Sequence, residues 1–193
     1  MQKLTIPLLL GVLLLLNSCV KDRTFAPQNS INTASSGEIV INEFMANETI
    51  APSINEFGTA SDWIELYNNT DYTINIKSNQ WYIDTISALG NAGPAYALPP
   101  MALASHQFIL VWCDKLNEVS SNPDILKSIH SNFTLKKSSG HLILTQKNSS
   151  GIMTTSDEIY YGAQTTDVSY GRQPDGSTVW KSFTKPTPGT SNN

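Results

Sequence analysis

The sequence has few of the residues that most chemistries require. Its 193 residues hold two cysteines, Cys19 and Cys113, and three histidines, His106, His130 and His141. No two histidines form a His-x-x-x-His pair and no Cys-x-x-Cys pair occurs, so the pattern offers no zinc ligand set. There is no glycine-rich phosphate loop and no Gly-x-Ser-x-Gly elbow. Charge is sparse at 15%, and Lys+Arg number 12 against Asp+Glu 16, a formal net charge of −4. A nucleic-acid-binding surface would be basic, so no nucleic-acid partner is expected. Long amphipathic helices and fixed-period repeats are also missing, which argues against an α/β fold. What is present is a 40% hydrophobic content, too high for full disorder, on a length that suits one domain.

Part of that hydrophobicity lies at the N-terminus. Met1-Gln2-Lys3 gives a short positive start, Leu4 to Leu16 is almost wholly apolar, and Asn17-Ser18-Cys19 follows. This is the layout of a secretory signal, too short for a membrane span of about 20 residues. Leu16-Asn17-Ser18-Cys19 resembles a bacterial lipobox. The resemblance implies that residues 1–18 are a lipoprotein signal peptide and that Cys19 is lipidated once the chain is cut before it. Each acyl CH₂ buried in a bilayer contributes about 0.8 kcal/mol, so more than one chain anchors stably. Val20-Lys21-Asp22 is similar to the export signals of Bacteroidetes surface lipoproteins. Residues 19–37 then read as a lipidated N-terminus and flexible tether, rich in Asn, Gln, Ser and Thr with Pro27. The folded part, residues 38–190, is long enough to bury about 70% of its unfolded-chain surface. With Cys19 lipidated, Cys113 has no disulfide partner. It lies in the most apolar run of the mature chain, which makes it a buried structural thiol.

The remainder reads as β. Glu38–Met45, Asp62–Asn68, Tyr72–Ile76, Gln80–Asp84, Phe108–Trp112 and His141–Thr145 carry strand patterns, with weaker ones near 158–161, 168–170 and 179–181. In Asp62–Asn68, Ile64 and Leu66 share one face while Trp63, Glu65 and Tyr67 share the other. Phe108–Trp112 is apolar on both faces, as in a central strand. Asn122-Pro123-Asp124-Ile125-Leu126-Lys127 carries helix-start signals and predicts a helix of two turns at most.

Several segments together resemble a known family. Ile41-Asn42-Glu43-Phe44, Asp62-Trp63-Ile64-Glu65-Leu66-Tyr67-Asn68, Trp81-Tyr82-Ile83-Asp84, the apolar strand after Pro99-Pro100, Gly140-His141-Leu142-Ile143-Leu144 and the closing Ser169–Gly176 and Pro186-Thr187-Pro188-Gly189 are similar to the lamin tail domain of bacterial surface proteins. The resemblance covers about residues 37–191. It implies an all-β, immunoglobulin-like two-sheet β-sandwich that serves as an interaction module. Insertions at 47–61 and 114–131 depart from the family pattern, and long loops often carry function.

Candidate chemistry rests on carboxylates and aromatics. Glu43, Asp62, Glu65 and Asp84 sit on or beside the motif strands. Brought together, two of them would bind Ca²⁺ or work as an acid–base pair; otherwise they accept backbone hydrogen bonds or pair with Arg172. Ca²⁺ is the one cofactor this leaves open. Trp63, Tyr67, Trp81 and Tyr82, if exposed, would stack on a sugar or anchor a protein partner; more often such residues are core or half-buried sheet packing. The expectation is a non-enzymatic cell-envelope lipoprotein, held in the outer membrane by lipid on Cys19, displaying a binding domain for a protein or glycan. The alternatives are a carbohydrate- or peptidoglycan-binding module, or a hydrolase using Glu43 or Glu65 with an Asp partner.

Overall fold

The computed structural model describes residues 37–50, 54–87 and 95–193. The expected signal peptide, the expected lipidation at Cys19 and the expected tether through residue 36 lie outside the described residues, as do 51–53 and 88–94. The described chain contains thirteen strands and no helix: β1 Ile39–Met45, β2 Trp63–Asn68, β3 Ile74–Ile76, β4 Trp81–Ser87, β5 Tyr96–Ala97, β6 Met101–Leu103, β7 Phe108–Trp112, β8 Glu118–Val119, β9 Ile129–His130, β10 Gly140–Lys147, β11 Met153–Tyr161, β12 Ser169–Arg172 and β13 Trp180–Phe183.

These strands form a seven-stranded sheet ordered β13-β12-β1-β2-β7-β9-β8, a four-stranded sheet ordered β11-β10-β4-β5, and a two-stranded ribbon of β3 and β6. All pairings are antiparallel except β7 with β9. The β-branched and aromatic content of β1, β2 and β7 suits a pleated, buried surface. Ile39, Ile41, Phe44, Ile64 and Leu66 of the large sheet meet Ile83, Leu142, Leu144 and Ile159 of the small one in a single core. Each such side chain contributes about 1.5–3 kcal/mol by leaving water.

One bulge decides which residues face that core. Ile41 pairs with Leu66, but the next pair is Glu43 with Glu65, so Asn42 is the extra residue on β1. Strict alternation from Ile39 and Ile41 would bury Glu43 in the core and turn Phe44 away. The bulge reverses this: Phe44 packs inside, and Glu43 joins Glu65 on the outer face.

Alternation on β2 holds in direction, yet all six of its residues are buried. The outer face is covered, with Met45, Trp63, Leu110 and Trp112 forming a second cluster against Leu126. The expected helix at 122–127 is a turn instead. The Asn122 carboxamide accepts the Asp124 amide at 3.0 Å and the Asp124 carboxylate accepts the Leu126 amide at 3.0 Å. Such local acceptors compete with helical hydrogen bonding. Cys113 is free and buried, and burial pushes its thiol well up.

The two sheets are tied by a buried ion pair. Arg172 on β12 gives Nη2 to both oxygens of Asp157 on β11 at 2.9 Å, and its Nε donates to the Ile41 carbonyl at 2.8 Å. Asp157 also accepts the Ile41 amide at 2.8 Å. Arg172→Ala leaves Asp157 buried without its cation. It is expected to lower unfolding free energy by about 3–5 kcal/mol in urea titration, whereas Arg172→Met combined with Asp157→Leu loses less than either single change.

Candidate functional site

The structure brings together two of the four candidate carboxylates. Glu43 and Glu65 face each other from β1 and β2, both fully buried. Asp175, in the turn after β12, joins them through Asn42. The bulged Asn42 donates Nδ2 to Glu65 Oε1 and to Asp175 Oδ1, each at 2.9 Å, and its Oδ1 accepts the Gly176 amide at 3.0 Å. The C-terminal segment closes over this group. Thr187 donates its amide at 3.2 Å and its hydroxyl at 2.9 Å to Glu43, which the Ser169 hydroxyl also reaches. The Gly189 amide meets Glu65 Oε2 at 2.6 Å, and Asp175 accepts the Asn192 amide at 3.0 Å and the Ser191 hydroxyl at 2.5 Å. Gly189 turns at φ +78°, and a Cβ there would sit 2.5 Å from Leu126, so only glycine fits the approach.

Burial pushes the Glu65 carboxyl well above the usual carboxylate range, and the charges of Glu43 and Asp175 push the same way against the bonds from Asn42 and Gly189. Burial raises Glu43 too, opposed by Ser169 and Thr187. Every one of the six oxygens is engaged by an N–H or O–H donor. That arrangement suits a latch for the chain's own C-terminal segment and does not fit a Ca²⁺ ion, which needs six to eight free oxygen ligands.

Asp62 and Asp84 stand apart. Asp62 accepts the Glu48 amide at 3.2 Å, and burial pushes its carboxyl up to about 6. Asp84 lies on β4 opposite Ile143, its carboxyl also raised by burial. Of the two structural roles expected for the acids, Glu43, Asp62 and Glu65 take the first and accept backbone amides, while Arg172 pairs with Asp157. Of the two expectations for the aromatics, packing holds and the exposed platform does not. Trp63, Tyr67 and Trp81 are all buried, since the outer face of β2 is covered and Trp81 points into the core.

Sequence reasoning missed a second site, which joins the two insertions. His130 on β9 is fully buried. Its Nδ1 lies 2.7 Å from Asp114 Oδ2 and its Nε2 lies 3.0 Å from Glu56 Oε2. An ionised carboxylate only accepts, so the arrangement favours the protonated ring, which donates from both nitrogens. Burial alone would lower the His130 pKa, but the bonds and charges of Asp114 and Glu56 outweigh it and raise it. Glu56 belongs to the 47–61 insertion and Asp114 to the 114–131 insertion, so His130 clasps the two. Asn55 shapes the first loop by accepting the Phe57 and Thr59 amides, each at 3.0 Å. Trp112 holds the second by donating Nε1 to the Leu126 carbonyl at 3.2 Å. The other histidines each have a carboxylate of their own, His106 with Asp71 and His141 with Glu158. The only hint of the clasp was that each insertion contained a histidine or an acid.

No protein-family model matches the chain, and no curated protein matches it.

Two pH effects follow. A raised carboxyl contributes stability that is complete below its unfolded pKa, near 4.5 for Glu65, and lost as pH rises through its folded value. Glu65→Gln is therefore expected to flatten the fall in melting temperature between pH 5 and 8. His130 has the same sign: its contribution is complete below about 6.5 and lost as pH rises through its raised folded value. Its ring resonances are expected to titrate above 6.5, and nearer or below 6.5 in Asp114→Asn.

Proposed function

We propose that this protein is a non-enzymatic lipoprotein of the bacterial outer membrane, anchored by lipid on Cys19, that displays an immunoglobulin-like domain of lamin-tail type as a protein-binding module. The observation that carries this reading is the polarity of the fold. The described chain enters at Gly37 beside the loop after β2, where the Asn69 amide donates to the Glu38 carbonyl at 2.9 Å. β1 then runs seven residues, about 20 Å, to Met45. The two long insertions follow β1 and β7 at that far end, where Met45, Trp63 and Trp112 lie side by side. A tether at one end and clasped loops at the other suit a domain that presents its loops away from a membrane. The all-β architecture of two sheets over one core agrees with the sandwich that the lamin-tail resemblance implies. The internal engagement of Glu43, Glu65 and Asp175 favours binding over hydrolysis.

The test is metabolic labelling with a palmitate analogue, followed by protease shaving of intact cells. The wild type is expected to take label and be shaved, and Cys19→Ala to take none. A wild type without label overturns the lipoprotein reading. A labelled protein that resists shaving faces the periplasm.

A further inference from the structure

Exposed apolar side chains surround the point where the chain enters the domain. Tyr72 is 55% exposed, Ile152 59%, Met153 46% and Val179 51%. Tyr72 gives its hydroxyl to Glu38, the neighbour of Gly37. β11 reaches the same place through Ser156, whose hydroxyl donates to the Ile39 carbonyl at 3.0 Å. Asp157, the next residue, accepts the Ile41 amide, so β11 runs alongside β1 toward the loop end and starts on the entry side. Met153 therefore stands three residues, about 10 Å, beyond the contact at Ser156. Val179 closes the 173–179 turn on that side, its carbonyl accepting the Gln173 amide at 2.9 Å. Gly176 of the same turn lies against Asn69, whose amide donates to the Glu38 carbonyl.

The β10–β11 hairpin projects farthest. Asn148 shapes its tip, its side-chain oxygen accepting the Ser150 and Ile152 amides, each at 2.9 Å, while its own amide donates to the Ile152 carbonyl at 2.9 Å. Ile152 and Met153 are thus presented by a fixed turn instead of packing back on the body. Two lysines stand behind them. The Gln80 carbonyl accepts the Lys147 amide at 2.7 Å, and the Gln80 side chain accepts the Lys77 amide at 3.0 Å. Apolar tips in front, with a phenol and ammonium heads behind, suit the boundary between lipid and water. The charges on this end are of both signs, Glu38 and Asp71 with Lys77, Lys147 and Lys181, so apolar contact and not charge governs what it meets.

The chain itself decides what covers this end. Residues 20–36 alone separate the lipid proposed on Cys19 from Gly37. A flexible linker of that length spans about 20–25 Å, and it turns a second contact with the bilayer into an intramolecular one at roughly millimolar effective concentration. We infer that the entry end of the domain, through Ile152 and Met153 at the hairpin tip with Tyr72 and Val179 beside them, seats on the surface of the bilayer that carries the anchor. The seat is shallow, apolar and suited to zwitterionic lipid. It sets the β1 axis away from the membrane, so that the two insertions at the opposite end point outward. This rests on the reading of Cys19 as the lipid anchor.

The test uses the full chain held by its lipid in phosphatidylcholine vesicles, with the photo-crosslinking residue benzoylphenylalanine in place of Ile152, Val179 or Leu116. After irradiation, lipid adducts are counted by mass spectrometry. The Ile152 and Val179 positions are expected to give about tenfold more lipid adduct than Leu116 at the opposite end, and to keep it between about 50 and about 300 mM salt. Ile152→Ser with Met153→Ser, both at exposed positions, is expected to lower the Val179 adduct about fivefold without moving the melting temperature. Equal adduct at Ile152 and Leu116, none at Ile152, its loss at the higher salt, or an unaffected double variant overturns the proposal. So do chain-to-chain adducts at Ile152 in place of lipid, for then a second copy is the occupant. The anchor reading fails in another way, by the absence of lipid on Cys19 in the mass of the purified chain. The same crosslinks are then read on the chain coupled through its Cys19 thiol to a maleimide lipid, so the two proposals fall separately.

Discussion

The extra residue at Asn42 is the constraint from which the rest of the domain follows. Without it, Ile39, Ile41 and Glu43 would share a face, and a carboxylate would enter the core between two sheets. With it, Phe44 takes that place and packs on Tyr161 at a centroid distance of 4.8 Å. On the side away from β2, β1 pairs with β12 only at Glu43 and Phe44, so the Ile41 amide and carbonyl on that side need other partners. Asp157 takes the amide and Arg172 the carbonyl. A buried amide or carbonyl left unpaired would be destabilising by about 1–3 kcal/mol. The inter-sheet ion pair thus completes the backbone hydrogen bonding of Ile41 where the β12 ladder does not reach, a role that an apolar pair could not fill. Asn42 itself, swung outward, becomes the hub between Glu65, Asp175 and Gly176.

The outer face of the large sheet shows how the C-terminal segment is bound into the fold. Glu43 and Glu65 sit side by side in register, where two ionised carboxylates would repel. Burial and proximity both favour a proton on the pair, and donors from Thr187, Gly189 and Ser169 satisfy its oxygens. A segment with no strand of its own after Phe183 is held by acceptors aimed at its backbone. Gly171 contributes by its lack of a side chain, since a Cβ there would stand 2.9 Å from Glu43 Cγ.

The strands that the sequence disclosed are those whose pattern is local. Phe108–Trp112 is a strand with the bounds its apolar run implies, and Ile39–Met45 and Trp63–Asn68 are long enough for β-branched residues to speak. The strands β5, β6, β8 and β9 hold two or three residues each and exist through distant pairing, so no periodicity reveals them. The burial of Trp63 and Tyr67 was hidden for a similar reason. Alternation correctly assigns them to the outer face, but Leu126 over the Trp63 cluster and the His106 and Phe108 rings beside Tyr67 lie far along the chain. At the candidate site, Glu43 and Glu65 were legible as carboxylates on neighbouring motif strands. Asp175, Thr187 and Gly189 were not, because what makes them partners is the return of the chain end across the sheet. At residues 122–127, helix-start signals were genuine capping chemistry, but Asn122 and Asp124 spend that chemistry on successive turns.

The two acidic groupings differ in a way that separates structure from function. Around Glu43 and Glu65 every acceptor is met by the chain itself, the side chains are closed to water, and burial raises both carboxyls above their usual range. Around His130 the charge is balanced by a cation instead, and the loops it joins end in side chains that the fold leaves uncovered. Closing those apolar tips against the body would have required no new chemistry, since Leu126 of the same insertion does so against Trp112. Phe57 and Leu116 remain outside while His130, Asp114 and Glu56 Oε2 beneath them are hydrogen-bonded, so the loops are shaped from within and open outward. A surface held rigid before any partner arrives loses little conformational entropy on binding. The clasp therefore bears on affinity as well as on stability, because separating the insertions would make any partner bear the ordering of both loops.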